Sequence, residues 1–158
     1  MREQEAERKQ IEKTALDSAF GKAKEALDKL SGCAGVFGSP TVFGTLTMTA
    51  GTVLQTLVKS NAFHFARGTN FPFKNGGVTS YNETVIAGVR VSWSASITLD
   101  PALIDNPTEL ALTMIHEAGH VLRGLGFTGG DFNDDDGPNQ PDNQQHNNDR
   151  IREECNKK

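Results

Sequence analysis

This chain lacks long apolar runs, and among its 158 residues it has only two cysteines, one tryptophan and one tyrosine. No stretch approaches the ~20 apolar residues that cross a bilayer, so no membrane partner is expected. Residues 1–30 are dense in charge and have no apolar h-region. No signal peptide is read there, and an exported form is expected to be a piece cut from a longer precursor. Cationic surface is scarce as well. Sixteen Lys and Arg stand against twenty Asp and Glu, a net charge of −4, and the basic residues cluster N-terminally, interleaved with Glu. That balance argues against a nucleic-acid partner. The length suits one domain with a modest core.

The two cysteines, Cys33 and Cys155, stand near the two ends of the globular part. Neither belongs to a C-x-x-C pair or neighbours a histidine, so spacing gives no metal or nucleophile signature. Two free thiols or one bridge remain. We favour the bridge, which would tie the termini together and imply an oxidising compartment.

Along the chain, Ile11, Ala15, Leu16, Ala19, Ala23, Ala26, Leu27 and Leu30 recur at helical spacing, predicting one helix over 3–30. Its first ten residues have almost no apolar anchor and read as a frayed end or linker. Residues 35–44 read as loop, and 49–60 as a second helix. From Phe63 the period changes to two. Asn75, Gly76 and Gly77 signal a turn, and Thr84 to Ile86 is a strand candidate. Val89, Val91, Trp93 and Ala95 alternate with Arg90, Ser92, Ser94 and Ser96, a half-buried strand that Ile97 to Leu99 continue. A polar stretch rich in Gly, Asp and Asn follows Gly126, and a short helix from about Asn147 to Cys155 closes the chain. This order predicts an α+β fold with a small sheet packed on a helix.

The helix between strand and polar stretch carries the chemistry. Asp105 to Glu109 start it: Asn106 can cap, Pro107 fits the first position, and Glu109 completes a capping-box-like spacing. Leu110, Met114, Ala118, Val121 and Leu122 make the core stripe, while Gly124 and Gly126 end it. His116, Glu117 and His120 fall largely off that stripe and spell H-E-x-x-H. With four His and ten Glu in the chain, shuffling yields this pattern roughly once in two hundred tries, so it is specific enough to lead. Two imidazoles four residues apart on a helix share a face and can hold one Zn2+, and Glu117 can take a proton from a metal-activated water.

His116–His120 and the strand–loop–helix run over 84–126 resemble the zincin metallopeptidases. The chain also looks like C-terminal domains of large bacterial surface or repeat-containing proteins, on the strength of Cys33, Phe37, Gly38, His116 to His120, Asn147, Ile151 and Cys155. The resemblance implies a zincin-like fold over 33–158, preceded by a charged helix or linker over 1–32. It also implies a zinc metallopeptidase acting on a protein or peptide substrate, a disulfide, and a secreted or cell-surface bacterial setting. In zincins an edge strand above the cleft pairs with extended substrate, and residues 89–96 are its expected counterpart.

The familiar continuations are missing: Arg123 and Gly126 stand where a metzincin has glycine and a third ligand, and no gluzincin helix follows. Catalytic zinc takes three protein ligands and keeps one position open. Asp131 is the preferred third ligand, as the first ligand-type residue after the glycine turn. His146 comes second, ahead of Asp134, Asp135, Asp136, Glu153 and Glu154. Tyr81, His64, Arg123 and His146 are candidates for oxyanion stabilisation. Two other readings stand beside the peptidase. One is a non-catalytic zinc or calcium module, with Asp131, Asn133 and Asp135 at alternate positions but Gly137 one place late for an EF-hand. The other is a protease-type effector or toxin domain, which shares the chemistry.

Overall fold

A computed structural model describes residues 2–29, 31–37, 41–43, 46–66, 77–125, 127 and 140–156. The fold is α+β. Helix α1 (Arg2–Lys29) leads into a short α2 (Ser31–Gly35), a hairpin of β1 (Thr41–Phe43) and β2 (Leu46–Met48), and α3 (Ala50–Lys59). Strands β3 (Phe63–Phe65), β4 (Gly77–Ile86) and β5 (Val89–Leu99) form a mixed sheet, and a 3-10 turn (Pro101–Asp105) precedes α4 (Pro107–Leu125) and α5 (Gln140–Cys155).

The first helix includes the ten residues expected to fray. Residues 4–10 are exposed, and ion pairs of one-turn spacing, Arg8–Glu12 at 3.6 Å and Lys9–Glu5 at 4.0 Å, line that solvated end. Its second half buries Ala19, Ala23, Ala26 and Leu27, and α1 packs on α4. Helix α3 is bounded by its own chemistry. Thr49 Oγ1 accepts from the Thr52 N–H at 3.2 Å, and Val53, Leu54 and Leu57 are buried at helical spacing. At its end Asn61 takes φ +59°, Ala62 N–H returns to the Leu57 carbonyl at 2.9 Å, and Asn61 N–H to that of Val58 at 3.1 Å. This is a Schellman close, with asparagine standing where glycine is commonest.

The sheet order is β3-β5-β4. Strand β3 runs parallel to the end of β5, with Phe63 opposite Ile97 and Phe65 opposite Leu99. Strand β4 runs antiparallel to β5 over its whole length, from Gly77 opposite Leu99 to Ile86 opposite Val89. Ala87 (φ +54°) and Gly88 (φ +79°) join them in a two-residue loop with both residues left-handed, as a type I′ turn requires. One expectation changes here: the strand expected over 84–86 begins at Gly77. Strand β3 flanks β5 only at Ile97–Leu99, so among the described residues 89–96 pair with β4 alone, and β4 is the strand lying against α4.

Every residue from Leu110 to Gly119 of α4 is buried, because α1, α3, α5 and β4 surround it. An all-round buried helix is the centre of its domain. Helix α5 begins at Gln140, earlier than the apolar pattern indicates, and docks through Asn147 (0 % exposed), Ile151 and Cys155. A Cys33–Cys155 disulfide joins α2 to α5 with the Cα atoms 4.6 Å apart. Arg152 of α5 forms a two-pronged ion pair with Glu109, one prong at 2.8 Å. That hydrogen bond, strengthened by the charge of Glu109, raises the Arg152 pKa above the ordinary arginine value. No helix among the described residues is long and apolar enough to cross a membrane.

Candidate metal centre

Helix α4 starts as its sequence indicates. Asn106 Oδ1 accepts from the Glu109 N–H at 3.2 Å, and the Asn106 carbonyl takes the first helical bond, from Leu110 N–H at 2.9 Å. Only half of the capping box forms: Asn106 N–H donates to the Leu103 carbonyl at 3.0 Å, and the Glu109 carboxylate goes to Arg152 instead. Glu109 thus ties α5 to the start of the motif helix. At the other end Phe127 N–H returns to the Leu122 carbonyl at 3.0 Å.

Between these ends, His116 and His120 stand one turn apart with ring centroids 5.5 Å apart and planes tilted by 58°. The ligand atoms of His116, Glu117 and His120 all lie within 4.8 Å of one another, and no other described His, Cys, Asp or Glu joins the cluster. His116 Nε2 is 3.7 Å from Glu117 Oε2. His116 and Glu117 are 5 % and 4 % exposed, whereas His120 is partly exposed. The motif is therefore not on an open helix surface.

Strand β4 is what covers Glu117. Its residues Gly77, Thr79 and Tyr81, two apart and so on one face, turn toward α4. Thr79 Oγ1 donates toward Glu117 Oε1 at 2.9 Å and lies 3.2 Å from the Glu117 carbonyl oxygen. Gly77 leaves room for that contact: a Cβ there would come 2.9 Å from Glu117 Cγ and 3.2 Å from its Cδ. Two turns after Glu117, Gly124 makes room in turn for the Tyr81 ring, whose Cε1 would stand 2.8 Å from an added Cβ. Small residues on both elements let strand and helix approach.

Imidazole nitrogens are among the ligands zinc takes in proteins, and His116 and His120 present two of them one turn apart, with all ligand-type atoms of the group, the Glu117 carboxylate included, within 4.8 Å. The two histidines thus fit the ion as two of its ligands, and Glu117 stands beside them.

The other sequence-derived candidates fall elsewhere. Asp131, Asp134, Asp135 and Asp136, with the whole calcium-like run to Gly137, lie outside the described residues. His146 is exposed on α5, and Glu153 and Glu154 accept from Arg150 at 3.3 and 3.4 Å, away from the cluster. His64 shares a hydrogen bond with Thr98 Oγ1 at 2.9 Å on the sheet, and Arg123 is exposed in the last turn of α4. Tyr81 alone of the oxyanion candidates lies on the covering strand; its hydroxyl donates to Glu83 Oε2 at 2.8 Å and its ring stacks on Trp93 at 6.5 Å. Gly77 and Thr79 were not legible as site residues. Their shared face with Tyr81 shows only once β4 is known to begin at residue 77. No family model, curated protein or solved structure matches this chain.

Proposed function

We propose that this chain is a zincin-like metallopeptidase domain that hydrolyses peptide bonds in a protein or peptide substrate. The observation that carries the reading is the convergence of His116, Glu117 and His120 within 4.8 Å on a central helix, with a strand clasping the carboxylate. His116 and His120 offer ring nitrogens as ligands, and Asp131 remains our candidate for the third. Zinc held there would supply Lewis acidity, making a water acidic near neutral pH and polarising the scissile carbonyl. Glu117 accepts the water proton and returns it to the leaving amine. Its low exposure supports this role, because a carboxylate screened from bulk water interacts more strongly with a charge beside it. The disulfide, which persists in oxidising compartments, supports an exported setting.

The burial of His116 and Glu117 also favours a second reading, a closed, non-catalytic metal module. The two separate on Glu117→Gln. A peptidase keeps its zinc in that variant and loses hydrolysis of unfolded casein. Persistent hydrolysis removes Glu117 as base, and a wild-type protein that binds zinc yet cleaves nothing supports the module.

A further inference from the structure

The H-E-x-x-H pattern assigns no role to Thr79, yet Thr79 makes the closest polar contact to Glu117 that β4 provides. Its hydroxyl carries one proton, and both acceptors in reach belong to Glu117: Oε1 at 2.9 Å and the main-chain oxygen at 3.2 Å. The strand position of Thr79 is fixed by pairing with Ile97, which is fully buried. Beside it, Gly77 lets the backbone of β4 close on the Glu117 side chain, so a rotation of that side chain toward the strand meets backbone. The second carboxylate oxygen, Oε2, is left 3.7 Å from His116 Nε2, the metal-ligand side.

The two oxygens of a free carboxylate are equivalent, and a glutamate side chain has three torsions to lose. The contact to Thr79 removes both freedoms. We infer that Thr79 is the positioning residue of the Glu117 base: its hydroxyl holds Oε1 against β4 and thereby selects Oε2 as the oxygen that takes the proton. This rests on the reading of Glu117 as a base. The hydroxyl contacts of Thr79 are to Glu117. Thr79 acts through orientation, where a misplacement of ~1 Å costs about 10²-fold in rate.

The test compares zinc-loaded wild type with Thr79→Val, which keeps the shape and loses the hydroxyl, and Thr79→Ser, which keeps the hydroxyl. Thr79→Val is expected to retain one zinc per chain and an unchanged KM while kcat on casein-derived peptide falls about 10- to 100-fold. Thr79→Ser is expected to restore most of kcat. A readout independent of turnover is the Thr79 hydroxyl proton in metal-free protein by NMR, expected to exchange slowly in wild type and faster in Glu117→Ala, where only the main-chain acceptor at 3.2 Å is left. Full kcat in Thr79→Val, or a rapidly exchanging hydroxyl in wild type, overturns the inference. The hydroxyl measurement decides it even where Thr79→Val does not fold. Glu117→Gln, run alongside, separates the two claims. If it is inactive while Thr79→Val is fully active, only the role of Thr79 fails; if it is active, the base reading fails first.

Discussion

Gly77 of the edge strand lies against Glu117 of the motif helix so closely that a single added carbon does not fit. A Cβ at residue 77 would stand 2.9 Å from Glu117 Cγ and 3.0 Å from the Thr98 carbonyl oxygen, and the second of these is paired backbone that cannot swing aside. Gly77→Ala is therefore expected to push β4 off α4, at an overpacking cost of about 1–3 kcal/mol. Urea denaturation of the variant checks the stability. Its hydrolysis should fall with it, because the strand and the Glu117 carboxylate move together.

The Gly124–Tyr81 contact makes a different prediction, since the obstacle there is a side chain. Alanine in a helix gains about 1 kcal/mol over glycine, but at position 124 it meets the Tyr81 ring at 2.8 Å. Gly124→Ala alone should destabilise by up to ~2 kcal/mol net, or displace the ring from its stack on Trp93. In a Tyr81→Ala background the same change should become stabilising by up to ~1 kcal/mol. A double-mutant cycle by thermal melting, with Trp93 fluorescence as a local probe, measures that reversal of sign.

Ala87 occupies the left-handed region at φ +54° in the turn joining β4 to β5. An alanine there costs of order 1 kcal/mol, which asparagine relieves by tolerating that conformation. Ala87→Asn would create an Asn-Gly pair suited to a type I′ turn and is expected to stabilise by about 0.5–1 kcal/mol. A rise in Tm checks it, and unchanged or lowered stability contradicts the turn assignment.

The Cys33–Cys155 bridge closes a loop with a sequence separation of 122 residues and anchors a helix, α5, with few apolar contacts of its own. Its removal by paired Cys→Ser substitution should cost about 2–5 kcal/mol. Helix α5 should loosen first, since the anchors it then keeps among the described residues include little more apolar burial than Ile151, beside Asn147 and the Arg152–Glu109 pair. Hydrogen exchange across residues 140–156, with and without the bridge, shows whether the loss is local to that helix.

Much of this was legible in the sequence, for physical reasons that differ between elements. The Asn106 cap, Pro107 and the Leu110–Met114–Ala118–Val121–Leu122 stripe announce α4 because local capping and helical spacing are both present there. Two cysteines allow a single bridge, which the sequence favours over two free thiols without deciding between them, and the fold joins Cys33 to Cys155. What escaped notice depends on contacts distant in sequence. Residues 77–83 show no strong alternation, and Gly77 reads as a turn, yet ten residues pair with β5 because the hairpin and α4 together bury one face. The start of α5 over 140–146 is polar throughout and carries no period. The role of Thr79 arises from a contact 38 residues away in sequence, which no local pattern encodes.

In the proposed zinc centre His116 and His120 hold the ion and Glu117 does the proton work. Metal analysis coupled to a casein assay on wild type, His116→Ala and Glu117→Gln tests this assignment most directly. One zinc per chain is expected in wild type and Glu117→Gln, none in His116→Ala, and hydrolysis in wild type alone. Stoichiometric zinc retained by His116→Ala, or casein cleaved by Glu117→Gln, would contradict it.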